Sequence, residues 1–258
     1  MARRDTITRP SYGWTALEPA RSLFNIAALA ASWPMLASAP RGDGHPVMVL
    51  PGFATNDAMT VPLRMALKRL GHDVHTWDLG WNLDQHSTGE NGEHIARRIA
   101  DIAQATGRKV SLVGWSLGGV IAREAARRDP ADVRQVIALG SPFTGNPDAT
   151  NLGQLYELLT GNRVSAMERH PRYVTGGKPL PVPSTAIYSK SDGITAWENC
   201  VSETDARTEN IEVWTSHFGF VANPAVLYAV ADRLACAEGD WTPFVPGGPF
   251  AAFYFPPD

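Results

Sequence analysis

Val110-Ser111-Leu112-Val113-Gly114-Trp115-Ser116-Leu117-Gly118-Gly119 is a short apolar run that ends in a serine bracketed by glycines. The run predicts a buried strand, and the residues from Leu117 to about Arg128 read as the helix that follows it. A serine on so tight a strand-to-helix turn stands clear of the sheet, so its hydroxyl is free to act as a nucleophile. The turn crowds the residues two before and two after, and Gly114 and Gly118 remove the β-carbons that would clash. Gly119 gives further room where helix meets sheet. A glycine-rich phosphate loop is the rival reading, but the spacing is not G-x-G-x-x-G and no lysine holds the P-loop position.

Outward from this motif, short apolar runs alternate with helical patterns, the signature of a parallel α/β sheet. Val47 to Leu50 reads as a strand ending at Pro51-Gly52, and Leu63, Leu67 and Leu70 then recur at helical spacing before Gly71. Val74 to Leu79 is the next strand, and Ile95, Ile99 and Ile102 form one helix face closed by Gly107. Downstream, Val133 to Leu139 ends at Gly140-Ser141-Pro142, while Thr185 to Tyr188 and Ile211 to Trp214 read as the last two strands. Asn223-Pro224 caps a final helix whose buried stripe is Val226, Val230 and Leu234. The expectation is a mostly parallel central sheet of about six strands with helices on both faces.

Three stretches break the rhythm. Residues 143–183 are rich in Gly, Pro and Asn with one helical piece near Leu152 to Leu159, which reads as a short cap or lid insertion over one end of the sheet. Leu155, Tyr156, Leu158 and Leu159 are candidates for its apolar lining, with ordinary packing as the alternative. Residues 1–45 read as a helical extension: Arg3 and Arg4 precede an apolar stretch from Leu23 to Leu36, and Ala37-Ser38-Ala39 has the look of a signal-peptidase site. Asp5, Glu18, Asn25 and Pro34 argue against export, and the stretch is too short to span a bilayer. An amphipathic helix that packs on the domain or touches a membrane surface is the favoured reading, with a cytoplasmic protein expected and an exported or membrane-associated one the alternative. Residues 240–258 carry Phe244, Val245, Phe250, Phe253, Tyr254 and Phe255 among prolines and glycines, and are expected to lie as an extended strap on the protein surface, with an oligomer contact or an acyl-binding role as the alternative. With no repeat or linker, residues 1–258 read as a single domain.

Composition narrows the function classes. The chain of 258 residues is 44% hydrophobic and 19% charged with a net charge of -3, which gives no reason to expect nucleic acid. Its two cysteines, Cys200 and Cys236, are too few for a disulfide framework; separate thiols are favoured over one bridge. No His/Asp/Glu grouping has the spacing of a zinc site, so neither metal nor cofactor is expected.

In strand order, motif order and spacing, Pro46 to Ala235 resembles the α/β-hydrolase fold esterases and lipases, and this resemblance implies the remaining site residues. The family's first oxyanion-binding turn corresponds to Pro51-Gly52-Phe53, which makes the Phe53 and Leu117 N–H groups the candidate oxyanion pair. Many relatives have His-Gly there, and the proline departs from that pattern. Ser189-Lys190-Ser191-Asp192-Gly193 resembles the family's acid turn and Thr215-Ser216-His217-Phe218-Gly219 its histidine loop, giving the order Ser116, Asp192, His217. His217 would take the proton from Ser116 and Asp192 would orient the imidazole. The purely structural roles for these two are that Asp192 closes a turn with Gly193 and that His217 bonds only locally. Glu198 and Asp205 are the substitute acids, and His45, His72, His75, His86, His94 and His170 match no motif position.

A serine nucleophile excludes the aspartate-dependent branches of the fold and points to carboxylic ester hydrolysis through an acyl-enzyme. The expected partner is a small-molecule or lipid ester. Acyl transfer or thioester cleavage uses the same triad, and Gly114 to Gly119 also resembles pimeloyl-carrier-protein methyl ester esterases. The same residues would suit a cofactor-free perhydrolase, and a binding protein could keep this fold without catalysis.

Overall fold

The computed structural model describes residues 6–255, so Arg3, Arg4, Asp5 and the last three residues of the tail lie outside the described residues. Its strands are β1 (Pro46–Leu50), β2 (Asp73–Thr76), β3 (Val110–Trp115), β4 (Val133–Leu139), β5 (Ser184–Tyr188), β6 (Thr208–Val213) and β7 (Tyr254–Phe255). They form one sheet in the order β2-β1-β3-β4-β5-β6-β7, parallel throughout except for β7, which runs antiparallel to β6. The helices are α1 (Tyr12–Ala31), α2 (Trp33–Leu36), α3 (Val61–Arg69), α4 (Gln85–Thr88), α5 (Glu93–Thr106), α6 (Leu117–Arg128), α7 (Gly153–Thr160), α8 (Pro171–Val174) and α9 (Pro224–Ala235). This is the α/β-hydrolase architecture expected above, with helices on both faces and a cap insertion between β4 and β5.

Alternate residues of each central strand feed opposite cores, as the pleat requires. Val47, Val49, Val113 and Ile137 pack with Leu63, Leu67 and Val230, under α3 and α9. Met48, Leu50, Leu112 and Val136 pack with Ile95, Ile99 and Ile121, under α5 and α6. Burial on both faces explains why these strands read as continuous apolar runs rather than alternating ones. The chain order reverses between β1 and β3, so a crevice opens at their carboxyl ends, the usual site for ligands in such sheets.

Three sequence expectations need correction. β2 stops at Thr76 instead of running to Leu79 because Trp77 turns its ring inward, with Nε1 donating to the Gly80 carbonyl at 2.9 Å, while the Asp57 carboxylate takes the Trp77 and Asp78 amides at 3.2 Å each. Ile211 to Trp214 is not the last strand. The tail returns as β7, pairing Val213 with Tyr254 and Glu212 with Phe255, and so covers the edge of β6. The tail is not simply a strap, because Phe250 and Tyr254 are buried and the Tyr254 hydroxyl donates to the Ala225 carbonyl at 2.8 Å.

The N-terminal extension holds a different surprise. In α1 the polar residues Glu18, Arg21, Ser22 and Asn25 recur at i, i+3, i+4 and i+7, and this stripe, not the apolar one, faces the protein. Tyr12, Leu23 and Phe24 are 77%, 68% and 65% exposed on the opposite side. Among the described residues no helix is long and apolar enough to cross a membrane. Cys200 is buried, Cys236 is half-buried, and both are free thiols.

Candidate active site

Ser116 sits at the junction of β3 and α6 with φ 55° and ψ −124°, a left-handed conformation that a serine adopts only under constraint. The constraint is packing. A β-carbon at Gly114 would lie 2.3 Å from the Gly119 nitrogen, and one at Gly118 would lie 2.4 Å from the Leu50 carbonyl oxygen. One at Gly119 would meet the Ser141 hydroxyl at 2.0 Å. All three glycines are therefore required by close approach. The Ser116 amide is held by the Leu139 carbonyl at 2.8 Å.

The structure brings Asp192 and His217 to this serine from the carboxyl ends of β5 and β6. His217 Nε2 lies 3.0 Å from Ser116 Oγ, and His217 Nδ1 lies 2.7 Å from Asp192 Oδ2. A carboxylate can only accept, so Nδ1 carries the hydrogen and Nε2 presents its lone pair to the serine hydroxyl. Asp192 divides its oxygens: Oδ1 accepts from the amides of Ile194 and Thr195 at 2.8 and 2.9 Å, which leaves Oδ2 for the imidazole. The turn-closing role and the histidine-orienting role thus coexist in one carboxylate. Glu198 and Asp205 are both exposed and take no part.

His217 is fully buried. Burial opposes its charged form, but the charge and hydrogen bond of Asp192, joined by the charge of Glu18, outweigh it and hold the imidazole above the ordinary histidine range. The loop is fixed from behind by Trp115, whose Nε1 donates to the His217 carbonyl at 2.9 Å.

Phe53 and Leu117 line the same cleft as Ser116. Leu117 is the first residue of α6, so its amide has no partner within the helix. A β-carbon at Gly52 would lie 3.3 Å from the Ser116 β-carbon, which places the turn before Phe53 directly against the serine. Among the described residues neither the Phe53 nor the Leu117 amide donates to another protein group.

The cleft measures about 590 Å³ with its open mouth, and the cap insertion supplies Leu152, Tyr156, Val164 and Arg172 to its wall. Tyr156 packs against Phe53 with ring centroids 5.0 Å apart and planes tilted by 49°. Leu155, Leu158 and Leu159, by contrast, are 40%, 80% and 43% exposed and do not line it. A buried polar cluster anchors the cap: Arg172 Nη1 lies 2.9 and 3.0 Å from the Asp84 oxygens, and the Tyr156 hydroxyl donates to Asp84 at 2.6 Å. Burial and then the neighbouring Asp84 charge push the Tyr156 hydroxyl far above its usual range. Nothing in the local sequence around Asp84 or Arg172 announces this pair, because the partners are 88 residues apart.

Glu18 and Arg21 join the site without any motif that marks them for it, and Trp115 lies within the serine motif at a position the motif leaves open. The signal for the first two is the polar stripe of α1, legible as four polar residues at helical spacing in an otherwise apolar segment. Among the described residues no group of three or more His, Cys, Asp or Glu side chains could hold a metal ion.

A model of the alpha/beta hydrolase family matches residues 47–252. Among curated proteins, the chain is 31% identical over 109 residues to a pimeloyl-(acyl-carrier protein) methyl ester esterase of Shewanella sp. (strain MR-7), covering 42% of this chain and 39% of that one. It is 33% identical over 101 residues to the protein of that description from Shewanella woodyi, covering 39% and 37%. The chain thus spans about two fifths of the length of the curated relatives it matches. Among solved structures, Aspergillus fumigatus lipase B superposes with a TM-score of 0.57 at 22% identity, covering 79% of this chain and 56% of that one. A mature Bacillus licheniformis lipase gives 0.50 at 19%, covering 72% and 89%. At these identities the two lipases share the fold.

Proposed function

The chain belongs to the alpha/beta hydrolase family, and on that premise we propose that it is a serine hydrolase that cleaves carboxylic esters. The observation that carries this reading is the continuous relay from Asp192 Oδ2 through the His217 ring to Ser116 Oγ, at 2.7 and 3.0 Å. Ser116 Oγ attacks the ester carbonyl carbon while His217 Nε2 takes the hydroxyl proton. The resulting oxyanion receives the Phe53 and Leu117 N–H groups, donors worth roughly 10²–10³ in rate each where comparable ones have been removed. Collapse breaks the bond to the alkoxy oxygen, which leaves with the proton held on Nε2. Water then gives a proton to the same nitrogen and attacks the acyl carbonyl, and the acyl–Oγ bond breaks as Nε2 returns that proton to Ser116 Oγ, which frees the carboxylic acid.

The same triad would serve thioester cleavage or acyl transfer, but the relatives described as methyl ester esterases favour an oxyester. The apolar outward side of α1 favours substrates presented at a lipid surface. Hydrolysis of p-nitrophenyl esters of rising chain length, with and without emulsified triglyceride, tests both statements. Turnover that is absent in Ser116→Ala supports the reading; no turnover of any ester by the wild-type chain refutes it.

A further inference from the structure

The region matched to the family begins at residue 47, so α1 lies outside it. Yet α1 bonds to both loops that bring Asp192 and His217 to the serine. Glu18 Oε1 accepts from the Gly193 amide and from the His217 amide, each at 2.9 Å, and Oε2 accepts from the Phe218 amide at 3.2 Å. Arg21 donates to the Ser191 carbonyl at 2.6 Å and to its hydroxyl at 2.8 Å. Ser22 meets Ser216 hydroxyl to hydroxyl at 3.2 Å, and Thr15 donates to the Gly193 carbonyl at 2.7 Å.

The loops are shaped for this contact. A β-carbon at Gly193 would lie 2.6 Å from the Trp14 carbonyl oxygen, and one at Gly219 would lie 2.3 Å from Asn25 Nδ2. Each loop thus sets a glycine against α1, and a β-carbon at Gly219 would also lie 2.7 Å from each of the Ser216 and Thr215 hydroxyls of its own loop. Glu18 itself is 1% exposed, so its bonds are sheltered from water, and bonds to an ionised acceptor are roughly twice as strong as neutral ones.

We propose that α1 is a clamp joining the acid turn to the histidine loop, and that Glu18 is the positioning residue that sets where His217 stands against Ser116. The proposal rests on the hydrolase reading only for its kinetic arm. A carboxylate suits the task better than its amide. One oxygen bridges the two loops through Gly193 and His217, while the other takes Phe218. Glutamine has the same size but turns one acceptor into a donor facing an N–H.

The groups facing His217 are Asp192 from the acid turn and Glu18 from α1, with Arg21 beside Asp192. Removing the Glu18 charge therefore also makes the imidazolium easier to deprotonate.

The test is Glu18→Gln and Glu18→Asp in the full chain, each checked for fold by circular dichroism. For Glu18→Gln the expected results are a kcat lower by about 10- to 100-fold, the scale of loss when a reacting group is misplaced by up to an ångström, and KM within about twofold. The His217 ring, followed by NMR, should titrate at lower pH than in the wild type. Glu18→Asp keeps the charge and should restore the titration while recovering only part of kcat. A folded Glu18→Gln with wild-type kcat and wild-type His217 titration overturns the proposal. The NMR arm needs no substrate, so wild-type His217 titration in a folded Glu18→Gln overturns the proposal even if the chain turns over no ester. Should Glu18→Gln not fold, Arg21→Met takes its place; it removes the bonds to Ser191, the 3.7 Å ion pair with Glu18 and the contacts with the Trp14 and Trp214 rings, but leaves Glu18 on the Gly193, His217 and Phe218 amides. Lower kcat at unchanged KM supports the clamp, and wild-type kcat overturns it.

Discussion

Trp115 Nε1 donates to the backbone carbonyl of His217 at 2.9 Å, so the residue before the serine also anchors the loop that carries the histidine. Both groups are buried, and truncating the indole would leave that carbonyl unsatisfied. Trp115→Phe is expected to cost about 1–3 kcal/mol of stability, and to lower kcat more than it raises KM. Urea unfolding and ester kinetics on the same preparation check both.

The cap is predicted to depend on Asp84. Its carboxylate holds buried Arg172 and the Tyr156 hydroxyl. Asp84→Ala leaves the buried Arg172 guanidinium with only the longer Glu124 contact at 3.6 Å and is expected to cost up to about 3–5 kcal/mol, whereas Tyr156→Phe removes one hydrogen bond for about 0.5–1.5 kcal/mol. Denaturant midpoints rank the two. The chain-length preference of ester hydrolysis is expected to broaden in Asp84→Ala as the cap loosens.

The pH dependence should carry two histidine signatures of opposite sign. A general base acts when neutral, and His217 titrates above the ordinary range, so the acidic limb of kcat/KM should lie above the usual value of 6.5. For stability, that raised value favours the folded state fully below 6.5, and the contribution is lost as pH rises through the folded pKa. His72 behaves in the other direction. Burial pushes it down to about 4, so the folded chain keeps it neutral while the unfolded chain takes up a proton below 6.5. Its contribution to stability is present above 6.5 and falls away as pH drops toward 4. Denaturation midpoints measured from pH 4 to 8 should show the acid-side loss, and His72→Phe should flatten it.

Gly118→Ala is expected to abolish activity while leaving much of the fold. Its β-carbon would meet the Leu50 carbonyl oxygen at 2.4 Å, and backbone cannot give way as a flexible side chain can. The turn between β3 and α6 must then open and carry Ser116 off His217. A variant that folds, turns over esters normally and labels with a fluorophosphonate would count against this geometry.

The ten residues from Val110 to Gly119 make the fold legible because both requirements they express are local: a run of apolar residues for a strand buried on both faces, and glycines at the positions a sharp turn crowds. The loops of Asp192 and His217 are likewise legible as turn chemistry at strand ends, in an order that matches the resemblance. What escapes is the chemistry of long-range polar contact. Glu18 reads along the chain only as a charge unfavourable to export, although its spacing to Arg21, Ser22 and Asn25 marks an inward polar stripe. The Asp84–Arg172 pair joins a loop after β2 to the cap, and no periodicity encodes it. The tail hides its strand because two residues suffice for β7, too few to leave an alternating pattern.

The proposed mechanism depends on Ser116 as the nucleophile, poised by His217. Its most direct test is to treat the wild-type chain and His217→Ala with a fluorophosphonate and map the modified peptide by mass spectrometry. A stoichiometric adduct on Ser116 is expected in the wild type, with little or none in His217→Ala. A wild-type adduct on any other residue, or none at all, would contradict it.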